Sequence, residues 1–257
     1  MEVIQKKFYY PNNCLLIIAG DVEHTAIFPE ADKIFGSWDA SDFDPAKKYP
    51  IPEMEPLQQN KMAVIESPLA ESPLLVLRWQ GPDMRNDIKA TYTADVFSYI
   101  LNQRLSKLTL ALQETGLAAN IQINYYSQKY VGPITFSLSP NPGKIKECYQ
   151  AMQREMAQWD NDDYITDKQI ERAKKLLYIG QVEEREEVER YVHLLSFWWA
   201  CASMEYYTFY RDNLNKVTRQ DIKDYVRKYI KDKPFCAGLI VPQGANLSTD
   251  PNFYFSK

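Results

Sequence analysis

The chain has 257 residues, which is enough to bury the core of one large domain. Its 34 acidic residues outnumber its 30 basic ones, and a net charge of −4 argues against nucleic-acid binding, because phosphate recognition needs a positive field. No apolar run reaches the length of about 18 residues that a membrane-spanning helix needs. Composition therefore indicates an ordinary globular protein with no membrane span and no nucleic-acid partner.

The first 38 residues read as a strand and a helix without partner strands. Leu15–Ala19 is a short apolar run closed by Gly20 and Asp21, which predicts a buried strand. Residues 26–38 carry apolar residues at helical spacing, with Pro29 placed in the first turn. A single strand and helix cannot form a core, so we expect residues 1–38 to be the last piece of a preceding domain.

Residues 39–60 are polar and rich in proline, which predicts a semi-rigid, extended linker. A second unit is then expected over residues 61–242, followed by a tail over residues 243–257. Its strands are predicted at 62–66, 74–79, 119–126, 132–139 and 235–241. Its helices are predicted at 87–103, 105–115 (closed by Gly116), 144–159, 166–202 (opened by a Thr166–Gln169 capping box) and 218–229. This order predicts an α+β fold, an antiparallel sheet with helices layered on one face.

Residues with metal-binding or nucleophilic chemistry are sparse. His24 and His193 are the only histidines, and Glu186, Glu189 and His193 form the one plausible ligand cluster. Alternating charges around Glu186 favour a solvated helix face instead, and His24 is better explained as a helix-start residue. The four cysteines are far apart with no C-x-x-C pair, and no Gly-x-Ser-x-Gly elbow occurs, so neither a zinc ribbon nor a serine nucleophile is predicted.

Four segments resemble the pitrilysin/insulinase family of zinc metallopeptidases. The stretch Phe8–Val22 reads FYYPNNCLLIIAGDV, and Phe35–Trp38 reads FGSW. In that family, such segments finish the first, zinc-carrying domain. Val76–Pro82 and Leu112–Ala118 resemble short phrases of the second domain. The resemblance implies a mitochondrial processing peptidase-like fold, with this chain as the non-catalytic C-terminal half.

The family's catalytic motif, H-x-x-E-H plus a downstream Glu, is not found in this chain. Two histidines at i and i+4 share a helix face and bind one zinc ion, and the Glu acts as general base. The helix at 87–103, which matches the family's zinc helix, contains no histidine. The resemblance thus implies no cofactor in this chain, zinc in a missing N-terminal domain, and no activity of the chain alone. A non-enzymatic scaffold or peptide-binding subunit that partners a separate catalytic chain is the alternative.

By the same resemblance, second domains line the substrate chamber. We expect the hairpin Ile121–Leu138 to contact peptide or unfolded polypeptide, through an exposed strand edge and the side chains of Tyr125, Tyr126, Lys129 and Tyr130. Some members hold substrate with an Arg–Tyr pair, whereas this turn offers Lys129, and structural packing of the tyrosines is the competing interpretation.

The resemblance also implies partners and a location. The partner is expected to be the chain's own zinc domain or a homologous catalytic subunit. The apolar segment Phe197–Ala200 would favour a homodimer of the fragment if it stayed exposed. The family's habits favour the bacterial envelope or periplasm over the cytoplasm.

Overall fold

A computed structural model describes residues 1–256 and divides them into two units. Unit 1 contains residues 1–54 and 182–204, and unit 2 contains residues 55–181 and the chain from residue 205 onward. The strands are β1 Lys61–Ser67, β2 Leu74–Gln80, β3 Ala118–Tyr125, β4 Pro133–Pro140 and β5 Cys236–Pro242. The helices are α1 Glu2–Phe8, α2 His24–Phe35, α3 Pro45–Lys48, α4 Ile88–Leu101, α5 Lys107–Thr109, α6 Ile145–Met156, α7 Asp167–Glu183, α8 Val188–Cys201, α9 Met204–Thr208, α10 Tyr210–Asn215, α11 Arg219–Tyr229 and α12 Pro251–Phe255.

The strands of unit 2 form one sheet in the order β1-β5-β2-β4-β3. Every neighbouring pair is antiparallel except β1 and β5, which run parallel. The predicted α+β fold is confirmed, and the sheet is mostly antiparallel. The parallel pair was not predicted, because periodicity along a strand carries no information on the direction of a partner far away in the sequence.

One face of the sheet is buried beneath helices. Alternate residues of the central strands point into the core, including Leu75, Leu77 and Phe136, as the two-residue period of a strand requires. Phe136 packs edge to face against Trp159, their ring centroids 5.3 Å apart, and Trp159 contacts Phe97 of α4 at the same distance. These aromatic contacts attach the helical layer to the sheet, as predicted.

Helix α4 forms because its sequence supplies an N-cap residue and enough apolar side chains to pack against the sheet. Asp87 is the N-cap residue, and its carboxylate accepts a hydrogen bond from the amide of Ala90 at 3.2 Å. Most of its side chains are buried, including Val96, Phe97 and Ile100. The predicted helix at 87–103 is therefore confirmed, with both ends shortened.

The predicted helix at 105–115 begins as α5 and continues as a turn of π-helix over Leu110–Glu114. Ser106 caps its start by accepting a hydrogen bond from the amide of Thr109. Gly116 follows with a φ of +67°, a conformation that glycine adopts without strain.

The helical tract predicted over residues 166–202 is two helices, α7 and α8, separated near residues 184–187. The predicted capping box is confirmed, since Gln169 Oε1 accepts from the amide of Thr166 at 2.9 Å. Residues 183–187 carry four glutamates. Negative charge at the C-terminus of a helix opposes its dipole, which gives a physical reason for the break.

The last residues, predicted as a tail, contain the short helix α12. Asp250 caps it by accepting from the amide of Asn252 at 2.9 Å. Tyr254 and Phe255 are buried, and the Phe255 ring meets Tyr149 of α6 edge to face at 5.1 Å. The segment thus packs on unit 2 rather than extending into solvent.

Unit 1 lacks the strand that was predicted over residues 15–19. Residues 14–19 are extended but pair with no strand in the described chain, and Leu16 and Ile18 are exposed. Helix α2 follows and begins at His24, as expected for a helix-start residue. Pro29 lies in the second turn rather than the first, because the helix begins two residues earlier than predicted. The strand prediction failed because a strand also needs a hydrogen-bonded neighbour.

Loop contacts hold the polar part of unit 1 in place. The side-chain amide of Asn12 donates to Ser41 Oγ at 3.0 Å, and its oxygen accepts from the amide of Ser41 at 3.1 Å. Helix α3 lies within residues 39–60, the segment predicted as an extended linker. The domain boundaries predicted from the sequence stay predictions.

Candidate functional site

The predicted substrate-contacting residues lie at the turn between β3 and β4. Tyr125 is half-buried, and its hydroxyl donates a hydrogen bond to the carbonyl of Pro82 at 2.9 Å. Tyr126 is 54% exposed, and Lys129 is also exposed. The ring of Tyr130 lies beneath the guanidinium of Arg85, whose Cζ is 4.8 Å from the ring centroid. Three of the four side chains thus remain accessible, whereas the Tyr125 hydroxyl is engaged in packing.

A buried carboxylate fixes this turn to the loop at residues 81–86. Asp83 is 5% exposed and accepts hydrogen bonds from the amides of Arg85, Asn86 and Val131, at 3.0, 2.8 and 3.1 Å. The amide of Gly132 also donates to the carbonyl of Pro82 at 3.0 Å. A side chain at Gly132 would come within 2.5 Å of that carbonyl, so only glycine fits. The turn is therefore a rigid platform.

Tyr130 contacts an arginine that the sequence analysis did not single out. Tyr130 pairs with Arg85 on the neighbouring loop, and not with Lys129. Because 45 positions separate Arg85 from Tyr130, no local spacing connects them. The one available signal was Asp83 after Gly81 and Pro82, a turn sequence with a carboxylate able to bind backbone amides.

The open face of the sheet carries small and polar side chains. Ser137 of β4 lies between Val76 of β2 and Gln122 of β3 in the sheet register. At the next pair of residues on the same face, Arg78 Nε donates a hydrogen bond to Thr135 Oγ1 at 3.2 Å. The short side chains of Thr135 and Ser137 on β4 are thus flanked on this face by the larger Val76, Arg78 and Gln122.

The outer edge of β3 is closed by side chains of this same chain. Asn102 Nδ2 donates to the carbonyl of Ile123 at 2.6 Å, and Asn102 Oδ1 accepts from the Ile123 amide at 2.9 Å. Gln113 Nε2 donates to the carbonyl of Ala119 at 3.1 Å. The expectation that this edge is open to a peptide strand fails at Ile123, because Asn102 occupies both of its backbone groups.

Helix α4 presents a carboxyl group to a cluster of tyrosines. The hydroxyl of Tyr210 donates to Asp95 Oδ2 at 2.7 Å. Tyr92 and Tyr206 stack beside it with ring centroids 4.7 Å apart. Burial raises the pKa of Asp95 to about 7, against an ordinary value of 3.8, and the Tyr210 hydrogen bond opposes this rise only partly.

These residues do not fit a zinc site. Among residues 1–256, no three His, Cys, Asp or Glu side chains lie close enough together to hold a metal ion. Glu186, Glu189 and His193 are not brought into such a group. Since catalytic zinc takes about three protein ligands, α4 and its surroundings cannot supply the family's zinc chemistry.

No helix among the described residues is long and apolar enough to cross a membrane.

A family model, the peptidase M16 inactive domain, matches residues 4–177. This chain belongs to that family. The prediction of a non-catalytic domain of the pitrilysin/insulinase group is thereby confirmed, as is the interpretation of the chain as an inactive domain of a zinc-protease family. No curated protein matches the sequence of this M16 inactive domain.

Solved structures share the fold of this M16 inactive domain. A protease from Helicobacter pylori superposes with a TM-score of 0.78 at 18% identity, over 94% of this chain and 59% of that one. An M16-like peptidase from Alicyclobacillus acidocaldarius gives 0.77 at 15% identity, over 93% and 57%. The inactive peptidase domain of a zinc protease from Bordetella parapertussis gives 0.59 at 20%, over 69% and 97%. The M16 inactive domain thus spans less than two thirds of the first two proteins.

Proposed function

We propose that this M16 inactive domain forms one wall of the peptide-binding chamber of a zinc metallopeptidase. A neighbouring zinc domain carries the metal and the general base, and hydrolyses the peptide. The chain itself contributes binding surface and no catalytic group.

The observation that supports this proposal most directly is the exposed apolar surface of unit 1. Leu16 and Ile18 are exposed on the extended segment at 14–19, and Phe28 on α2 is 68% exposed. Burying each such side chain contributes about 1.5–3 kcal/mol. A partner that covered this surface would gain several kcal/mol of apolar burial, which favours docking of a domain here.

A second segment of the chain has the same pattern as residues 8–19, and its pairing indicates what kind of partner residues 14–19 need. Residues 8–19 run from the end of a helix through proline and Cys14 into an apolar segment. Residues 229–241 do the same through Cys236 into β5. Strand β5 lies inside its sheet, between β1 and β2. By analogy, residues 14–19 are expected to be an inner strand of a second, similar sheet, paired on both sides with strands of the zinc domain.

The wall itself is provided by the open face of the sheet and by the turn. Tyr126 and the Arg85–Tyr130 pair supply aromatic and cationic contacts at one end. Because Asn102 closes the β3 edge, we expect substrate to bind through the face and the turn, and not as an added strand at Ile123.

A reconstitution experiment tests the proposal. The full chain is produced alone and together with an H-x-x-E-H polypeptide from the same genome. Zinc content is measured by elemental analysis, and activity with a quenched fluorescent peptide. We expect no zinc and no hydrolysis for the chain alone, and one zinc per complex with hydrolysis for the pair. Stoichiometric zinc or peptide cleavage by the chain alone would refute the proposal.

Matched variants locate the docking surface. Ile18→Lys places a charge on the exposed segment and should abolish both association and hydrolysis. Leu69→Lys changes an equally apolar residue that is 91% exposed in the β1–β2 turn, and it should leave both unchanged. Equal effects of the two variants would show that the 14–19 segment is not the docking surface.

The alternative is a non-enzymatic scaffold or peptide-binding subunit, and association without hydrolysis would favour it. For localisation we propose the bacterial envelope. One structural neighbour, which covers 87% of this chain at 13% identity with a TM-score of 0.60, is a periplasmic protease from Escherichia coli. Fusion to a reporter that folds only in the periplasm would test this location.

A further inference from the structure

A cleft in unit 2 lies between α7 and α10, away from the open face and turn described above. Its volume is about 190 Å³. Three of its lining side chains are cationic, Lys174, Lys175 and Arg211, and one is anionic, Glu171. The lining therefore carries a net charge of about +2, in a chain whose total charge is −4.

The ammonium group of Lys174 is held in place inside the cleft. Its side chain is 11% exposed, and Nζ donates to Glu171 Oε1 at 3.0 Å and to the carbonyl of Asn215 at 3.2 Å. An ammonium group has three donors. Two are directed to these partners, and the third remains for a ligand in the cleft.

Arg211 is oriented by stacking. Its guanidinium Cζ lies 4.0 Å from the ring centroid of Tyr178. Stacking uses the flat face of the guanidinium and leaves the N–H groups at its edge available, which is the geometry that binds two oxygens of one anion. Within residues 1–256, no carboxylate forms an ion pair with Arg211 or Lys175, so their charges are not neutralised internally.

We propose that the α7–α10 cleft binds a small oxyanion, a carboxylate or phosphate group, through Arg211, Lys175 and the third donor of Lys174. Glu171 is an internal competitor, because its carboxylate already occupies one donor of Lys174. Removing the charge of Arg211 should therefore weaken anion binding, and removing the charge of Glu171 should strengthen it. This oxyanion site is independent of the proposed peptidase role.

The test is a titration of the full chain at low ionic strength, since salt screens exposed charges. Backbone amide NMR signals of residues 171–178 and 211–215 report on the cleft. The probes are inorganic phosphate, acetyl-triglycine with a free carboxylate, and the same peptide as its C-terminal amide. We expect saturable shifts with phosphate or with the free carboxylate, and none with the amide. A response to phosphate alone or to the peptide carboxylate identifies the source of the oxyanion.

Variants separate a built site from general charge attraction. Arg211→Gln removes a charged hydrogen-bond donor and should weaken binding about tenfold or more. Glu171→Gln should strengthen binding severalfold. Lys233→Gln removes the same charge from an exposed position outside the cleft and should change the Kd less than about twofold. No shifts with either anion, or equal effects of Arg211→Gln and Lys233→Gln, would overturn the proposal.

Discussion

Asp95 should make the folded state less stable as the pH rises towards neutrality. Burial raises the pKa of Asp95 to about 7 in the folded state, whereas an unfolded aspartate has its ordinary value of 3.8. Below the unfolded pKa both states are protonated, and the group favours neither. Between the two values only the unfolded state loses its proton, so the free energy of unfolding falls until the pH passes about 7.

The size of this effect follows from the pKa difference. About 3 pH units at about 1.4 kcal/mol each give about 4 kcal/mol as an upper limit. Asp95 keeps part of its surface accessible, and water relaxing around the charge reduces the effect, so we expect about 2 kcal/mol. Asp95→Asn retains an oxygen to accept the Tyr210 hydrogen bond but cannot ionise. The variant should match the parent near pH 4 and be about 2 kcal/mol more stable at pH 8.

Urea unfolding followed by tryptophan fluorescence at several pH values measures the difference. Other carboxylates act in the opposite sense: hydrogen bonds from Lys231 and Arg227 lower the pKa of Asp160, so its contribution is lost as the pH falls. Subtracting the parent curve from the variant curve removes these terms. Asp212→Asn, on the exposed surface of α10, serves as the control. Parallel curves for Asp95→Asn and the parent would refute the reasoning.

Three further predictions concern packing, the sheet edge and metal. Asn102→Ala should lower the free energy of unfolding by about 1–3 kcal/mol, because it removes two hydrogen bonds to Ile123, whereas Asn120→Ala should have little effect. Phe255→Ala should lower the free energy of unfolding by about 3 kcal/mol, because the Phe255 ring is buried, and Phe253→Ala should lower it by less than about 0.5 kcal/mol, because the Phe253 ring is exposed. Urea unfolding measures both the asparagine pair and the phenylalanine pair. A chelator should leave the midpoint of thermal unfolding of the isolated chain unchanged, and a drop of several degrees would indicate a structural metal.

Local sequence patterns predicted the helices and strands of unit 2 well, because each pattern lies within the element that it predicts. The apolar stripe of α4, the Thr166–Gln169 box and the alternation in β4 each specify one element without reference to the rest of the chain. The absence of histidine from α4 is an equally local observation, since it is visible in the sequence of that one helix.

Features that depend on distant partners were not predictable. The parallel β1–β5 pair joins residues 175 positions apart, and the Arg85–Tyr130 contact joins two loops. The hydrogen bond between Tyr210 and Asp95 likewise joins residues 115 positions apart. The segment at 14–19 shows the converse case, since its sequence specifies a strand but the described chain contains no neighbour for it.

The amide of Asn102 has a consequence for how the isolated chain behaves at high concentration. An unprotected outer strand can recruit copies of itself into fibrils through its backbone. Here the Asn102 side chain takes the place of a neighbouring strand at Ile123 and interrupts the ladder that a second molecule could extend along β3. Association of the purified chain through β3 should therefore be disfavoured, which leaves the other outer strand, β1, and exposed apolar side chains such as Phe28 as the routes for aggregation.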